Sequence, residues 1–225
     1  MHCLRIPFPV PPWRMYTTEL RIDVKQQPAD IELELDVLYG RFDCPGDALH
    51  ALPVICMQFR GLVLRYREAD GEHYVYVEDV ARRRLAGYVV FNRLIEVDRR
   101  ANPHLRAPHA KLAPAYQRCG IATAIYRWWL EAGNCLITGA RQSSGAHALW
   151  RSLGRRYERF YVDLRDKRLR HLGPHVDSRT IQDLHTRIVL LGKGWDRGRL
   201  ADCTGMWMEA TVPAELPLRT RLFFG

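Results

Sequence analysis

The stretch Leu112-Ala113-Pro114-Ala115-Tyr116-Gln117-Arg118-Cys119-Gly120-Ile121-Ala122-Thr123-Ala124-Ile125-Tyr126 decides how this chain folds. It passes from an apolar segment, through a proline and a turn of small residues, into a helical pattern over Thr123 to Ala132. Ile125, Trp128 and Trp129 form the inward face of that helix, and Gly133 closes it. A strand that ends in a tight turn and opens a helix leaves several backbone N–H groups pointing outward. With the helix dipole behind them, those donors bind anions without any basic side chain. Gly120 lets the backbone approach a ligand closely, Ala122 keeps the first helical turn thin, and Arg118 adds a charge suited to phosphate.

Outward from this turn, the chain alternates strand and helix signals. Upstream, His109 to Ala113 reads as a short strand, Asn102 to Pro108 as a loop, and Leu85 to Val97 as a long apolar strand. Leu62 to Arg67 and His73 to Val80, joined by Ala69-Asp70-Gly71-Glu72, read as a hairpin. Ala29 to Phe42 places Ile31, Leu35, Leu38 and Phe42 at helical spacing, and Asp47 is a cap for a second short helix that Pro53 disturbs. Thr17 to Lys25 alternates as a strand. Downstream, Cys135-Leu136-Ile137 is a buried strand, Ser143-Ser144 opens a helix that Gly154 ends, and Tyr157 to Leu164 alternates again. Ser178 to Leu191 reads as one helix. The class is α/β (α+β), with a mixed sheet.

Composition bounds the rest. The chain has 225 residues, of which 47% are hydrophobic and 26% charged, which excludes disordered and collagen-like classes. No apolar run approaches the roughly 20 residues of a membrane-spanning helix, so no membrane partner is expected. Met1 to Trp13, with its Arg and repeated prolines, lacks the pattern of a secretory leader, and six cysteines show no C-x-x-C pairing; a cytoplasmic location is expected. The net charge is +9, and 34 Lys plus Arg with only four lysines leaves 30 arginines. Arg82-Arg83-Arg84, Arg99-Arg100 and Arg165 to Arg170 read as solvated surface; a nucleic-acid partner is the less favoured reading, since no known nucleic-acid module appears. His171 and His175 flank Pro174 without a third ligand nearby, so no metal is expected.

The Leu112–Tyr126 stretch resembles the acetyl-CoA-binding motif of the GNAT N-acyltransferase superfamily, a hydrophobic strand followed by Q/R-x-x-G-x-G/A and an amphipathic helix. Gln117, Gly120 and Ala122 fall on the three defining positions. Ala146 to Gly154 is similar to the family's second helix, and Val77 to Phe91 to the hairpin before the cofactor strand. The resemblance implies a mixed, mostly antiparallel central sheet flanked by helices, with two parallel strands splayed apart at the cofactor site. It also implies acetyl-CoA or another acyl-CoA as co-substrate, and an amine acceptor that is a small molecule or a protein. Leu112 and Ala113 would offer backbone groups to the pantetheine arm, Gln117, Arg118, Cys119, Gly120, Ile121 and Ala122 would hold the pyrophosphate, with Thr123 just inside the helix, and Ser143 or Ser144 would touch the cofactor. The expected organisation is an N-terminal part over 1–60, an acyl-CoA-binding core over 61–172 and an extension over 173–225 belonging to the same domain.

Acyl transfer needs a neutral amine, a polarised thioester carbonyl and a proton for the leaving thiolate. The candidate bases are His109, at the start of the cofactor strand, and Glu96, near the end of the long strand. The family often places a tyrosine acid on its second helix, where this chain has Trp150; an indole N–H does not give up its proton at useful pH. The proton then comes from another hydroxyl, Tyr157 or Tyr126, or from water, or the thiolate leaves unaided. Alternatively the chain is a non-catalytic acyl-CoA sensor. Cys119 reads as a small packing residue, because family members transfer directly.

Overall fold

The structure is a computed structural model and describes residues 27–57, 59 and 61–209; the strand expected at Thr17–Lys25 lies outside them. Helix α1 (Pro28–Phe42) starts on a proline, carries Asp30 in its first turn and Arg41 in its last, and buries Leu35 and Phe42. The expected second helix after Asp47 does not form. Its carboxylate accepts from Leu49 N at 2.8 Å and pairs with Arg41 Nε at 3.0 Å, while Gly46 and Ala51 take positive φ, which breaks helical propagation.

Strands β1 (Val63–Ala69) and β2 (Glu72–Asp79) form the expected hairpin. Asp70 and Gly71 both sit at positive φ, as a two-residue turn matching strand twist requires. β3 (Arg84–Asn92) is shorter than the Leu85–Val97 strand expected, and β4 (Leu105–Leu112) is longer, running through residues read as loop. The misleading residue was Pro108. It lies opposite Phe91, and since Ala113 N donates to Ala86 O at 2.9 Å, the even-numbered residues of β4 turn their backbone groups away from β3. The missing N–H of Pro108 therefore breaks no rung with β3.

Helix α2 (Ile121–Glu131) follows, then β5 (Cys135–Ile137), helix α3 (Ser144–Leu153), β6 (Arg159–Arg165) and β7 (Arg168–Gly173). β7 comes from the arginine run read as plain surface: Arg168 and Arg170 are exposed while Leu169 is buried, the alternation of a half-covered strand. The helix expected over Ser178–Leu191 is replaced by a short helix α4 (Ser178–Gln182) and strand β8 (Thr186–Leu190). Asp183 is extended and ends α4, and the β-branched run that follows fits a central, doubly covered strand. α5 (Arg197–Thr204), capped by Asp196 and closed by Gly205, completes the described chain.

The eight strands among the described residues form one sheet in the order β1-β2-β3-β4-β5-β8-β6-β7, antiparallel except for β4 and β5. The expected mixed, mostly antiparallel sheet flanked by helices is therefore present. Tail strand β8 sits between β5 and β6, so residues beyond 173 supply a central strand. Phe91, opposite Pro108, stacks on Trp129 of α2 at 4.1 Å, so even-numbered residues of β4 face α2. Odd-numbered Lys111 reaches Glu34 of α1 on the other face. Leu105 and Ala107 continue that face into a second core with Ile137, Phe160, Val189 and Leu200.

Gly87 fixes where β3 meets the end of β4. A Cβ there would lie 2.3 Å from the Lys111 carbonyl oxygen and 2.8 Å from Leu112 Cα, and its φ is +154. We expect Gly87→Ala to destabilise the fold by about 2–3 kcal/mol, lowering Tm by roughly 5–10 °C in calorimetry; an unchanged Tm would show that β3 and β4 can separate freely.

Candidate active site

After β4 the chain makes a 3-10 turn (Pro114–Tyr116), extends at Gln117, and enters the left-handed region at Arg118 (φ 57) and Gly120 (φ 84). Gly120 is the N-cap of α2, and no side chain caps that end. The first helical rung is Ala124 N to Gly120 O at 2.9 Å, so the N–H groups of Ile121, Ala122 and Thr123 are the helix's unsatisfied donors. Gln117, Arg118 and Gly120 are exposed, whereas Ile121 is 1% exposed and anchors the helix start. The result is a solvent-facing cradle of main-chain donors with the positive end of a helix behind it. The Gln117 side chain turns back, Nε2 donating to Leu112 O at 3.0 Å, and Cys119 Sγ donates to Gln117 O at 3.3 Å; both brace the turn.

β4 and β5 pair at only two positions, Leu105 with Cys135 and Arg106 with Leu136, although β4 runs on for six more residues. Past Arg106 the parallel strands diverge, as the family resemblance implied. The residues whose backbone groups face the opening are Ala110 and Leu112. This corrects the expectation for Ala113, whose N–H is already given to Ala86 O at 2.9 Å. On the far side of the opening, Thr138 N donates to Ile188 O at 2.9 Å, tying the end of β5 to β8. Ser143 caps α3 by accepting from Ala146 N at 3.2 Å, and Ser144 is exposed as its first residue. The N-termini of α2 and α3 thus both follow strands that bound the opening.

Thr138, Gln142, His147, Tyr161, Thr186 and Ile188 line a cavity of about 130 Å³ between β5, β8 and α3. Sequence reasoning missed His147 and Tyr161; they sit on a helix and a strand it had found, but their convergence depends on β8, which it had read as helix. Trp150 is 3% exposed within the main core, so the indole packs the interior. Tyr126 is buried beside Phe91 at 5.9 Å, and burial alone raises its phenol pKa.

The candidate proton carriers are scattered. His109 lies on β4 facing α1, in the same alternation as Lys111. Burial first, and then the Lys111 charge, push its pKa below the ordinary value against an opposing pull from Glu34. Glu96 is not on a strand: β3 ends at Asn92, and the Glu96 carboxylate accepts from Arg187 Nη2 at 3.0 Å. Arg187 is only 4% exposed, so Glu96 neutralises a buried cation. Tyr157 donates to Glu131 Oε1 at 2.6 Å, at the last residue of α2. Eleven helical residues, roughly 16 Å, separate it from the cradle, which corrects its reading as the acid.

Among solved structures the chain is similar to a GNAT superfamily phosphinothricin acetyltransferase from Sinorhizobium meliloti in complex with AcCoA. The identity is 22% and the TM-score 0.35, over 55% of this chain and 63% of that one. It is also similar to two chimeras of spermidine N-acetyltransferase SpeG from Vibrio cholerae and hSSAT, at 19% and 16% identity and a TM-score of 0.32 each. These cover 55% and 54% of this chain and 68% of each chimera. The chain therefore spans just under two thirds of the length of the first of these structures. No family model and no curated protein matches the sequence.

Two outcomes test the placement of these residues. Glu96→Gln should destabilise the protein by about 1–2 kcal/mol, discounted for partial exposure, because Arg187 is left buried with a weaker partner; denaturant unfolding reads this. Arg118→Glu should leave Tm within a few degrees in calorimetry, because it reverses an exposed charge that makes no buried pairing.

Proposed function

We propose that the protein is an acyl-CoA-dependent N-acyltransferase, most simply an acetyltransferase, transferring by direct attack of an amine. The observation that carries this reading is the coincidence of the diverging β4–β5 pair with an uncapped α2 N-terminus at its mouth, on the residues Gln117, Gly120 and Ala122. The diphosphate of the acyl-CoA sits against the N–H groups of residues 118–123, including those of Cys119 and Thr123. The pantetheine arm pairs with the edge of β4 at Ala110 and Leu112, as an added strand would. Ser144 N, in the first turn of α3, offers a further donor beside the arm.

His109 is the proposed general base. Its lowered pKa keeps the imidazole neutral across the physiological range, so it can take a proton from an ammonium acceptor. The amine nitrogen then bonds to the thioester carbon and gives up its second proton to water, the carbon–sulfur bond breaks, and the thiolate leaves with the electron pair. With Trp150 buried and Tyr157 at the far end of α2, the thiolate is protonated by water. The acceptor is an amine, a small molecule or a protein side chain. The described cysteines are free thiols, which fits a reducing cytoplasm as the place of action.

A thermal-shift series tests the reading. Acetyl-CoA at about a hundred times its Kd should add ~2.7 kcal/mol and raise Tm by roughly 5–10 °C. No shift with acetyl-CoA or any longer acyl-CoA removes the proposal, and binding without thiol release across an amine panel reduces the protein to a sensor. His109→Gln should lower kcat roughly a hundredfold or more while leaving acetyl-CoA affinity unchanged. Because the His109 pKa is lowered, the acid limb of the wild-type rate should lie below the ordinary histidine range, and the variant should lack that limb.

A further inference from the structure

The loop that forms the donor cradle hangs between two buried side chains. Ile121, 1% exposed, pins its helical end, and Tyr116, 8% exposed, pins the other. The four residues between them include Arg118 and Gly120 in the left-handed region. A non-glycine residue keeps that conformation only where its surroundings hold it. Most of the loop's hydrogen bonds are internal or return to β4: Gln117 N to Pro114 O at 3.3 Å, Gln117 Nε2 to Leu112 O, and Cys119 Sγ to Gln117 O. The side-chain bond that leaves the loop is from Tyr116. Its hydroxyl donates to Asp79 Oδ2 at 2.6 Å, at the last residue of β2 and across the turn that joins β2 to β3.

Asp79 is itself 4% exposed, and it also accepts from Arg82 N at 3.0 Å and Arg82 Nη1 at 2.8 Å. The hydrogen bonds from Tyr116 and Arg82 hold its carboxyl down at about 2. It is a fixed anion at any working pH, and a short bond to an anion is strongly directional. Arg82 already neutralises the carboxylate, so charge balance alone does not require the tyrosine hydroxyl.

We propose that Tyr116, tethered by the buried Asp79 carboxylate, is the positioning residue of the acyl-CoA cradle, fixing where residues 117–123 present their backbone donors. This rests on the acyl-CoA reading of the cradle. Tyr116→Phe keeps the buried ring and leaves Asp79 paired with Arg82, so the fold survives while the tether is lost.

The test is a KM-against-kcat comparison with acetyl-CoA and any amine that wild type accepts, alongside calorimetric Kd values for coenzyme A. Tyr116→Phe should raise Kd and KM for the coenzyme about tenfold, the lower end for one hydrogen bond to a charged group, with kcat and the acceptor KM unchanged. Asp79→Asn, whose amide oxygen still accepts from the tyrosine, should lose less. In the double variant the two losses should not add. Because Asp79 does not titrate there, the ratio of wild-type to variant Kd should be flat from about pH 5 to about pH 9. If wild type binds coenzyme A and Tyr116→Phe binds it equally well, the tether has no positioning role. Parallel losses of kcat, both KM values and Tm would also overturn it, making the bond merely structural. If Tyr116→Phe does not fold, Asp79→Asn decides by the same Kd comparison. Wild type failing to bind coenzyme A at all would instead remove the acyl-CoA reading itself.

Discussion

Two rungs join β4 to β5, and then the strands part. A parallel pair buried inside a sheet would ordinarily continue, because backbone groups left unpaired away from water are costly. Here the divergence is sustained from both sides. β3 grips the end of β4 through the close approach at Gly87 and the bond from Ala113 to Ala86, while β8 holds the end of β5 through Thr138. The opening exposes the edge of β4 at Ala110 and Leu112, beside the cradle at Gly120. The exposure of that edge depends on the parting of the two strands.

The charge of the chain plays a different part from the one its arithmetic suggests. Despite a net charge of +9, the loop before α2 presents mainly main-chain donors to solvent, with Arg118 as the one cation within it. The buried carboxylates and cations are matched within the fold: Asp79 with Arg82, Glu78 with Arg65, Glu96 with Arg187, and Glu34 with Lys111. The last pairing lies beside His109, whose pKa is lowered first by burial and then by Lys111, while Glu34 opposes the shift.

Some elements were legible because their signals were local. The helix with Trp128 and Trp129 inward, the Asp70-Gly71 hairpin, the Ser143 cap and the short Cys135–Ile137 strand all follow from spacing and turn chemistry that a few neighbouring residues decide. The glycine-bearing turn at Gln117 was legible for the same reason. β8 was not, because Ser178–Leu191 offers apolar residues at a spacing that suits a helix, and only the empty slot between β5 and β6 selects a strand. Pro108 argued against a strand to any local reading. The register against β3, set elsewhere, turned its missing donor to the side where no partner was required.

The sequence by itself determined the turn, the helix it opens and the uncapped donors at that junction, because main-chain geometry within a few residues suffices. Which partners the candidate side chains take was decided by tertiary structure. Glu96 became the partner of a buried arginine, Tyr157 went to the far end of α2, and Tyr116 found Asp79, thirty-seven positions away. Such pairings follow from which strands become neighbours, and burial then fixes each group's charge and partner, so no local pattern of residues could have announced them.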